Sequence, residues 1–258
     1  MNEHDPTTTE LPADGIAVDL HVARHRLGGR VLFEALDMSL AGGTVTCLLG
    51  PSGVGKSTLL RLMAGLAPPE PGDRITCSDG GPLPGRIAYM DQRDLLLPWL
   101  DVLGNVTLGA RLRGEPRAID RARRLIDQVG LAGREHDPPS ALSGGMRQRA
   151  ALARTLMEDR PIVLMDEPFS MLDALNRFRL QAMAADLFGG RTVLLVTHDP
   201  NEALRLGHRI HVMTGEPARL DRALSPTGPT PRDPTDPSLT PFQHELMARL
   251  GMRDGGRR

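Results

Sequence analysis

Val45-Thr46-Cys47-Leu48-Leu49 runs directly into Gly50-Pro51-Ser52-Gly53-Val54-Gly55-Lys56-Ser57, and this junction decides the fold. The five residues before Gly50 form a short apolar run of the kind found in a strand buried on both faces. The next eight match GxxxxGK[ST], a loop whose glycines let the backbone turn tightly and aim several N–H groups at phosphate oxygens. From Ser57 to Leu66, Leu59, Leu60, Leu62, Met63 and Leu66 recur at helical spacing, so a positive helix end adds to those amides. Lys56 supplies a mobile point charge for the β- and γ-phosphates, and Ser57, with Thr58 behind it, a hydroxyl for Mg²⁺. Lys and Arg together number 31, and Lys56 is the single Lys among them. A chance glycine turn would lack both the strand before it and the helix after it. The stretch reads as a nucleotide site.

Working outward, Ile162–Met165 and Val193–Val196 are two further apolar runs, each followed by a polar turn and a helical pattern. That alternation predicts a parallel α/β sheet with its ligand loops at the strand C-termini. Asp166 and Glu167 end the first of these runs. Asp166 suits Mg²⁺, which prefers hard oxygen ligands, and Glu167 is placed to orient and deprotonate an attacking water. The interval between Leu49 and Ile162 is too long for one crossover. Within it Ile119, Ala122, Leu125, Ile126 and Val129 share one face after Pro116, which predicts a helical subdomain inserted over about residues 93–158.

Composition narrows the partners. With 258 residues the chain can bury a large core, and 40% apolar and 24% charged residues are ordinary for a folded protein. A net charge of −1 and 3% aromatics offer neither a field nor stacking platforms for nucleic acid. No apolar run approaches the ~20 residues a membrane helix needs. Cys47 and Cys77 are not spaced as a disulfide framework or a zinc site, which suits the reducing cytosol. Met1–Asp14 is polar and carries no secretion signal, so residues 1–15 read as a disordered lead. The seven prolines between Pro217 and Pro241 read as an extended linker, ahead of a short C-terminal helix within residues 216–258.

Leu142-Ser143-Gly144-Gly145-Met146-Arg147-Gln148-Arg149 then adds a second anion-binding helix start, with a Ser hydroxyl and bare amides. One ATP does not need two phosphate cradles. This segment, LSGGMRQR, strongly resembles the signature of the nucleotide-binding subunits of ABC transporters, and the resemblance covers about residues 16–215. It implies a P-loop NTPase fold of α/β class: a parallel-sheet core, an N-terminal antiparallel β subdomain and the inserted α-helical subdomain. It implies ATP and Mg²⁺ as ligands, with each ATP sandwiched between Gly50–Thr58 of one copy and Ser143, Gly144 and Gly145 of a second copy. Gln92 matches the glutamine that contacts Mg²⁺ and the attacking water. Ser170-Met171-Leu172-Asp173 is similar to the D-loop, with Met171 in place of a small residue and Asp173 at the nucleotide interface. His198 matches the switch histidine on the γ-phosphate. The resemblance thus assigns catalysis to Glu167, His198, Gln92 and Lys56, and the metal to Ser57, Gln92 and Asp166.

One family part is missing. No Tyr, Phe or Trp precedes Phe33 where the family stacks adenine, so His25 or Arg26 is the expected planar group and base selectivity is expected to be weak. Leu95-Leu96-Leu97-Pro98-Trp99-Leu100, followed by Asn105-Val106, is similar to bacterial importers of the nitrate, sulfonate, taurine and hydroxymethylpyrimidine group. Trp99 either packs inside the helical subdomain or faces a groove for a permease helix. The partners so implied are integral membrane permease subunits and, indirectly, a periplasmic or extracellular solute-binding protein. The place so implied is the cytoplasmic face of the inner membrane, peripherally bound. An exporter or lipoprotein-release ATPase is the alternative, and a soluble ABC ATPase on ribosomes or DNA a more distant one. Thr240-Pro241-Phe242-Gln243 resembles a capping box opening a helix with Phe242, Leu246, Met247 and Leu250 on one face. Such a helix packs on its own domain, on a second ATPase or on a membrane subunit.

Overall fold

The computed structural model describes residues 15–251, so the lead expected over residues 1–15 lies, but for Gly15, outside the described residues. Strands are β1 (Val18–Leu27), β2 (Arg30–Leu40), β3 (Val45–Leu49), β4 (Arg74–Cys77), β5 (Ile87–Met90), β6 (Ile162–Asp166), β7 (Thr192–Val196), β8 (Arg209–Thr214) and β9 (Arg219–Leu220). Helices are α1 (Lys56–Met63), α2 (Val102–Val106), α3 (Leu108–Leu112), α4 (Ile119–Gln128), α5 (Gly144–Met157), α6 (Ala174–Phe188), α7 (Pro200–Leu206) and α8 (Thr240–Arg249).

The strands make two sheets, ordered β2-β1-β4 and β5-β6-β7-β3-β8-β9. The first is antiparallel and buries one face, so Val18, Leu20 and Val22 point inward while Asp19 and Arg24 face water. The alternation breaks opposite Ala35, whose φ is 49°, and the register shifts between His25 and Arg26. Beyond the break His25 faces inward. The second sheet is parallel except for β9, and β3, β6 and β7 are buried at every position, which is why each reads as an unbroken apolar run. Parallel pairing delivers Gly50, Asp91, Glu167 and Thr197 to one edge of the sheet, just past the strand C-termini.

Helix α1 ends at Met63, not Leu66: Ala64 caps it, Gly65 turns left-handed at φ 71°, and Leu66 stands exposed. Helices α2 to α5 form the inserted layer, in which Ala122, Leu125 and Ile126 of α4 pack towards α5. Asn105, fully buried in α2, donates to the carbonyls of Leu97, Leu100 and Asp101 and accepts from the Leu97 amide at 2.7 Å. It therefore fixes the preceding loop from within.

The C-terminal segment corrects two expectations. From Pro217 onward the chain lies along the core and is no free linker: Ala218, Leu224 and Arg232 are buried. Arg232 donates to the carbonyls of Leu204, Gly207, Pro226 and Thr227, satisfying acceptors at the C-terminal end of α7 that a helix leaves unpaired. Helix α8 has Leu239, not Thr240, at its N-cap and no side-chain cap bond, because Thr240 already has helical dihedrals and the Gln243 amide turns to Asn201 instead. Its Leu246 is fully buried and the helix packs on α7 of its own domain, an anchor whose truncation to Ala costs about 2–5 kcal/mol.

Candidate nucleotide site

The phosphate loop follows from steric demands at its glycines. Gly50 has φ 155° and a Cβ there would lie 2.3 Å from the Met213 carbonyl oxygen, while Gly55, at φ 115°, would meet the Phe33 ring at 2.8 Å. Gly55 is the N-cap of α1 and offers no capping side chain. The first intrahelical bond runs from the Leu59 amide to Gly55 at 2.9 Å, so the amides of Lys56, Ser57 and Thr58 precede the ladder and point out of the helix end. The Lys56 ammonium folds back to the carbonyls of Gly50 (2.7 Å) and Pro51 (3.0 Å). Burial lowers its pKa, and the charges of Glu167 and Asp166 oppose that shift.

Asp166 closes β6 at 1% exposure, and its Oδ2 has no hydrogen-bond partner among the described residues. Burial pushes its pKa up, the nearby Ser57 hydroxyl opposes that shift, and the neighbouring Glu167 and Asp91 carboxylates raise it further. An orphaned buried carboxylate oxygen beside a hydroxyl is a donor set that fits Mg²⁺. Glu167 adopts φ 50°, a left-handed conformation that costs a non-glycine residue about 1–2 kcal/mol. Its amide donates to Val196 at 2.9 Å. The Gln92 amide and His198 Nδ1 both lie 3.2 Å from Glu167 Oε2, so two candidates far apart in sequence converge on one carboxylate oxygen of a third.

Ser143, Gly144 and Gly145 lie elsewhere. Ser143 caps α5, its Oγ accepting from the Met146 amide at 3.3 Å, and among the described residues no hydrogen bond joins this helix start to the phosphate loop. Asp173 caps α6 and spends both carboxylate oxygens on Asn176, at 2.9 and 2.6 Å; the backbone bond first and the side-chain bond second lower its pKa. Of the two adenine-stacking candidates, only the exposed Arg26 reaches the surface. His25 is buried, its ring stacked 6.0 Å from Phe33, and Arg26 pairs with Glu70 at 3.7 Å. Beside the phosphate loop is instead a cleft of about 520 Å³ lined by Arg30, Val31, Leu32 and Glu216, with no aromatic side chain among its lining residues.

Comparison with known proteins decides the family. The family described as ABC transporter matches residues 33–170. An aliphatic sulfonates import ATP-binding protein, SsuB 1, of Rhodococcus jostii is 43% identical over 248 residues, covering 95% of this chain and 98% of its own. This chain belongs to the ABC transporter ATP-binding family. An ABC transporter ATP-binding protein of Haemophilus influenzae is likewise 43% identical, over 86% of this chain and 94% of its own. Among solved structures, the dimeric post-hydrolysis state of the ATP-binding cassette MJ0796 bound to ADP and Pi matches with TM-score 0.71 and 27% identity, over 82% of this chain and 99% of that one. As an ABC ATPase the chain is an ATP-binding enzyme of α/β fold.

Sequence reading also left three residues of this ABC ATPase without a role. Gln148 was legible only as part of the signature, Ser170 only as part of the D-loop, and Arg177 not at all. In the structure Gln148 and Ser170 bond to the Glu167 carbonyl, and Arg177 joins the carbonyls of Phe169 and Leu172 to Asp199, next to His198. A buried polar residue on an otherwise alanine-rich helix face was the available signal for Gln148.

Proposed function

We propose that the chain is the energy-coupling subunit of an importer and works as a pair of copies. The observation that carries this reading is the divided site: Lys56, Asp166, Glu167, Gln92 and His198 gather at one sheet edge, while among the described residues no hydrogen bond joins the Ser143–Gly145 helix start to them. A second copy supplies the missing half, and the cassette MJ0796 is named as dimeric.

In this reading the amides of Gly53 to Thr58 and the Lys56 ammonium bind the β- and γ-phosphates, Lys56 exchanging its two carbonyl partners for phosphate oxygens. Mg²⁺ held by Ser57 and Asp166, with Gln92 close by, would neutralise phosphate charge. Glu167 takes the proton of the attacking water through Oε2, where Gln92 and His198 already converge and keep the carboxylate and the γ-phosphate aligned. Ser143, Gly144 and Gly145 of the other copy add a helix dipole to the γ-phosphate, where charge spreads during transfer. Loss of that phosphate removes the ligand joining the copies, so the pair opens.

Trp99 is 75% exposed and Leu95 47%, on the loop that Asn105 holds. An anchored apolar loop beside Gln92 suits a helix of a permease subunit set into a groove. No helix among the described residues is long and apolar enough to cross a membrane, so translocation falls to such a partner at the cytoplasmic face of the membrane. The relative named as an aliphatic sulfonates importer makes an aliphatic sulfonate the favoured solute, delivered by a solute-binding protein. Affinity purification from detergent-solubilised membranes tests this reading. A multispanning permease among the partners is expected, and ribosomal or DNA-associated partners without one would overturn it.

A further inference from the structure

Gln148 lies five residues past the cap of α5, 4% exposed, and every hydrogen bond of its side chain goes to one short segment. Its Nε2 donates to the Glu167 carbonyl at 2.9 Å and to Ser170 Oγ at 3.3 Å, and its Oε1 accepts from the Met171 amide at 2.8 Å. The Glu167 carbonyl also accepts from Ser170 Oγ at 3.0 Å and from the Ser170 amide at 3.3 Å. These bonds hold a residue whose φ of 50° needs its surroundings to fix it. The start of the same helix touches the same segment. A Cβ on Gly145 would lie 3.2 Å from the Met171 carbonyl oxygen, and one on Gly144 would lie 3.4 Å from Met171 Cε.

We infer that Gln148 is a positioning residue that ties the two nucleotide sites together: it relays engagement of the Ser143–Gly145 helix start, on the ATP held by the other copy, to the backbone of Glu167 in its own site. This rests on the two-copy reading above. A shift of α5 moves Gln148 with it, since the helix is one hydrogen-bonded unit. Among the described residues all its side-chain bonds go to Glu167, Ser170 and Met171, so the shift reaches Glu167 and the Met171 amide together. The catalytic carboxylate of each site is thereby set by whether the opposite site holds its nucleotide.

The test uses the full chain and MgATP. Gln148→Met keeps the volume and removes all three bonds, and Gln148→Glu keeps an acceptor for Met171 but turns a second oxygen on the Glu167 carbonyl. Both are expected to lower kcat about tenfold or more, because a small misplacement of a catalytic group is costly. KM stays within about twofold, as for a group acting only on the chemical step. In a Glu167→Gln background, where hydrolysis is blocked, ATP-driven pairing measured by light scattering is expected to be the same with and without Gln148→Met. Unchanged kcat in folded Gln148→Met overturns the proposal, and so does loss of ATP-driven pairing in the double variant, which would make Gln148 an assembly residue. If Gln148→Met does not fold, Ser170→Ala removes a neighbouring donor to the same carbonyl and is expected to lower kcat in the same direction. Unchanged kcat there then overturns the proposal. Failure of Glu167→Gln alone to pair with ATP marks failure of the two-copy reading instead, and the kcat of Gln148→Met still decides whether the residue positions Glu167.

Discussion

Helices α1 and α5 both open on glycines, yet they are built differently. The start of α1 is capped by left-handed Gly55, with no side chain over its amides, and is surrounded by Lys56, Asp166, Glu167, Gln92 and His198. The start of α5 is capped by Ser143, whose hydroxyl holds the Met146 amide, and among the described residues no such charged group is bonded to that cap. On the reading proposed above, the first carries the chemistry of bond cleavage and the second only a dipole and hydrogen bonds. On the two-copy reading proposed above, one chain holds two unlike half-sites, which become whole sites only in pairs.

The largest effect should come from the chemical half. Glu167→Gln removes the proposed base and is expected to lower ATP turnover on the order of 10³-fold while leaving an ATP-bound pair visible by light scattering. Normal turnover by this variant would break the assignment. Gly145→Ala pushes a methyl group onto the Met171 carbonyl and is expected to lower turnover about 100-fold. ATP binding by the isolated chain should change less than about twofold, since α5 is not where that chain binds it. Equal losses of binding and turnover would mean that both helix starts serve one site in one chain.

A smaller effect concerns what lies beneath the chemical half. Glu202 of α7, the helix that follows His198, is buried and its pKa rises to about 8, mainly through burial. The folded state keeps this proton after the unfolded chain has lost it, so stability present below the ordinary carboxylate range is lost as pH rises towards 8. The thermal midpoint should therefore fall between acidic pH and pH 8 in the parent chain, and Glu202→Gln should reduce the slope. An unchanged slope in the variant would place the titration elsewhere. The smallest effect is on base choice. With a cleft free of aromatic side chains in place of an aromatic platform, kcat/KM for GTP is expected within about tenfold of that for ATP, and rejection of GTP by ~100-fold would show a base contact beyond those lining residues.

Legibility followed burial and locality. The runs at β3, β6 and β7 could be read because a parallel strand covered on both faces leaves no polar position to interrupt it. The phosphate loop could be read because its glycines and lysine are adjacent in the chain. His25 was misread as available because the break in alternation near Ala35 is a backbone event with no residue signature. The tail was misread as a linker because the acceptors of Arg232 are backbone carbonyls, which every residue carries. Thr240 was misplaced by one position, enough to move it from cap to helix.

The sequence by itself determined the α/β class, the phosphate loop, the acidic strand end and the family, since each rests on residues that are neighbours in the chain. Only the tertiary structure decided that Gln92 and His198 meet on one oxygen of Glu167, that Trp99 stands outward, and that Gln148 of α5 bonds to the Glu167 carbonyl. Those contacts join segments far apart in sequence. Their distances are fixed by how the buried strands pair and how α5 packs beneath them, and no local pattern encodes that packing.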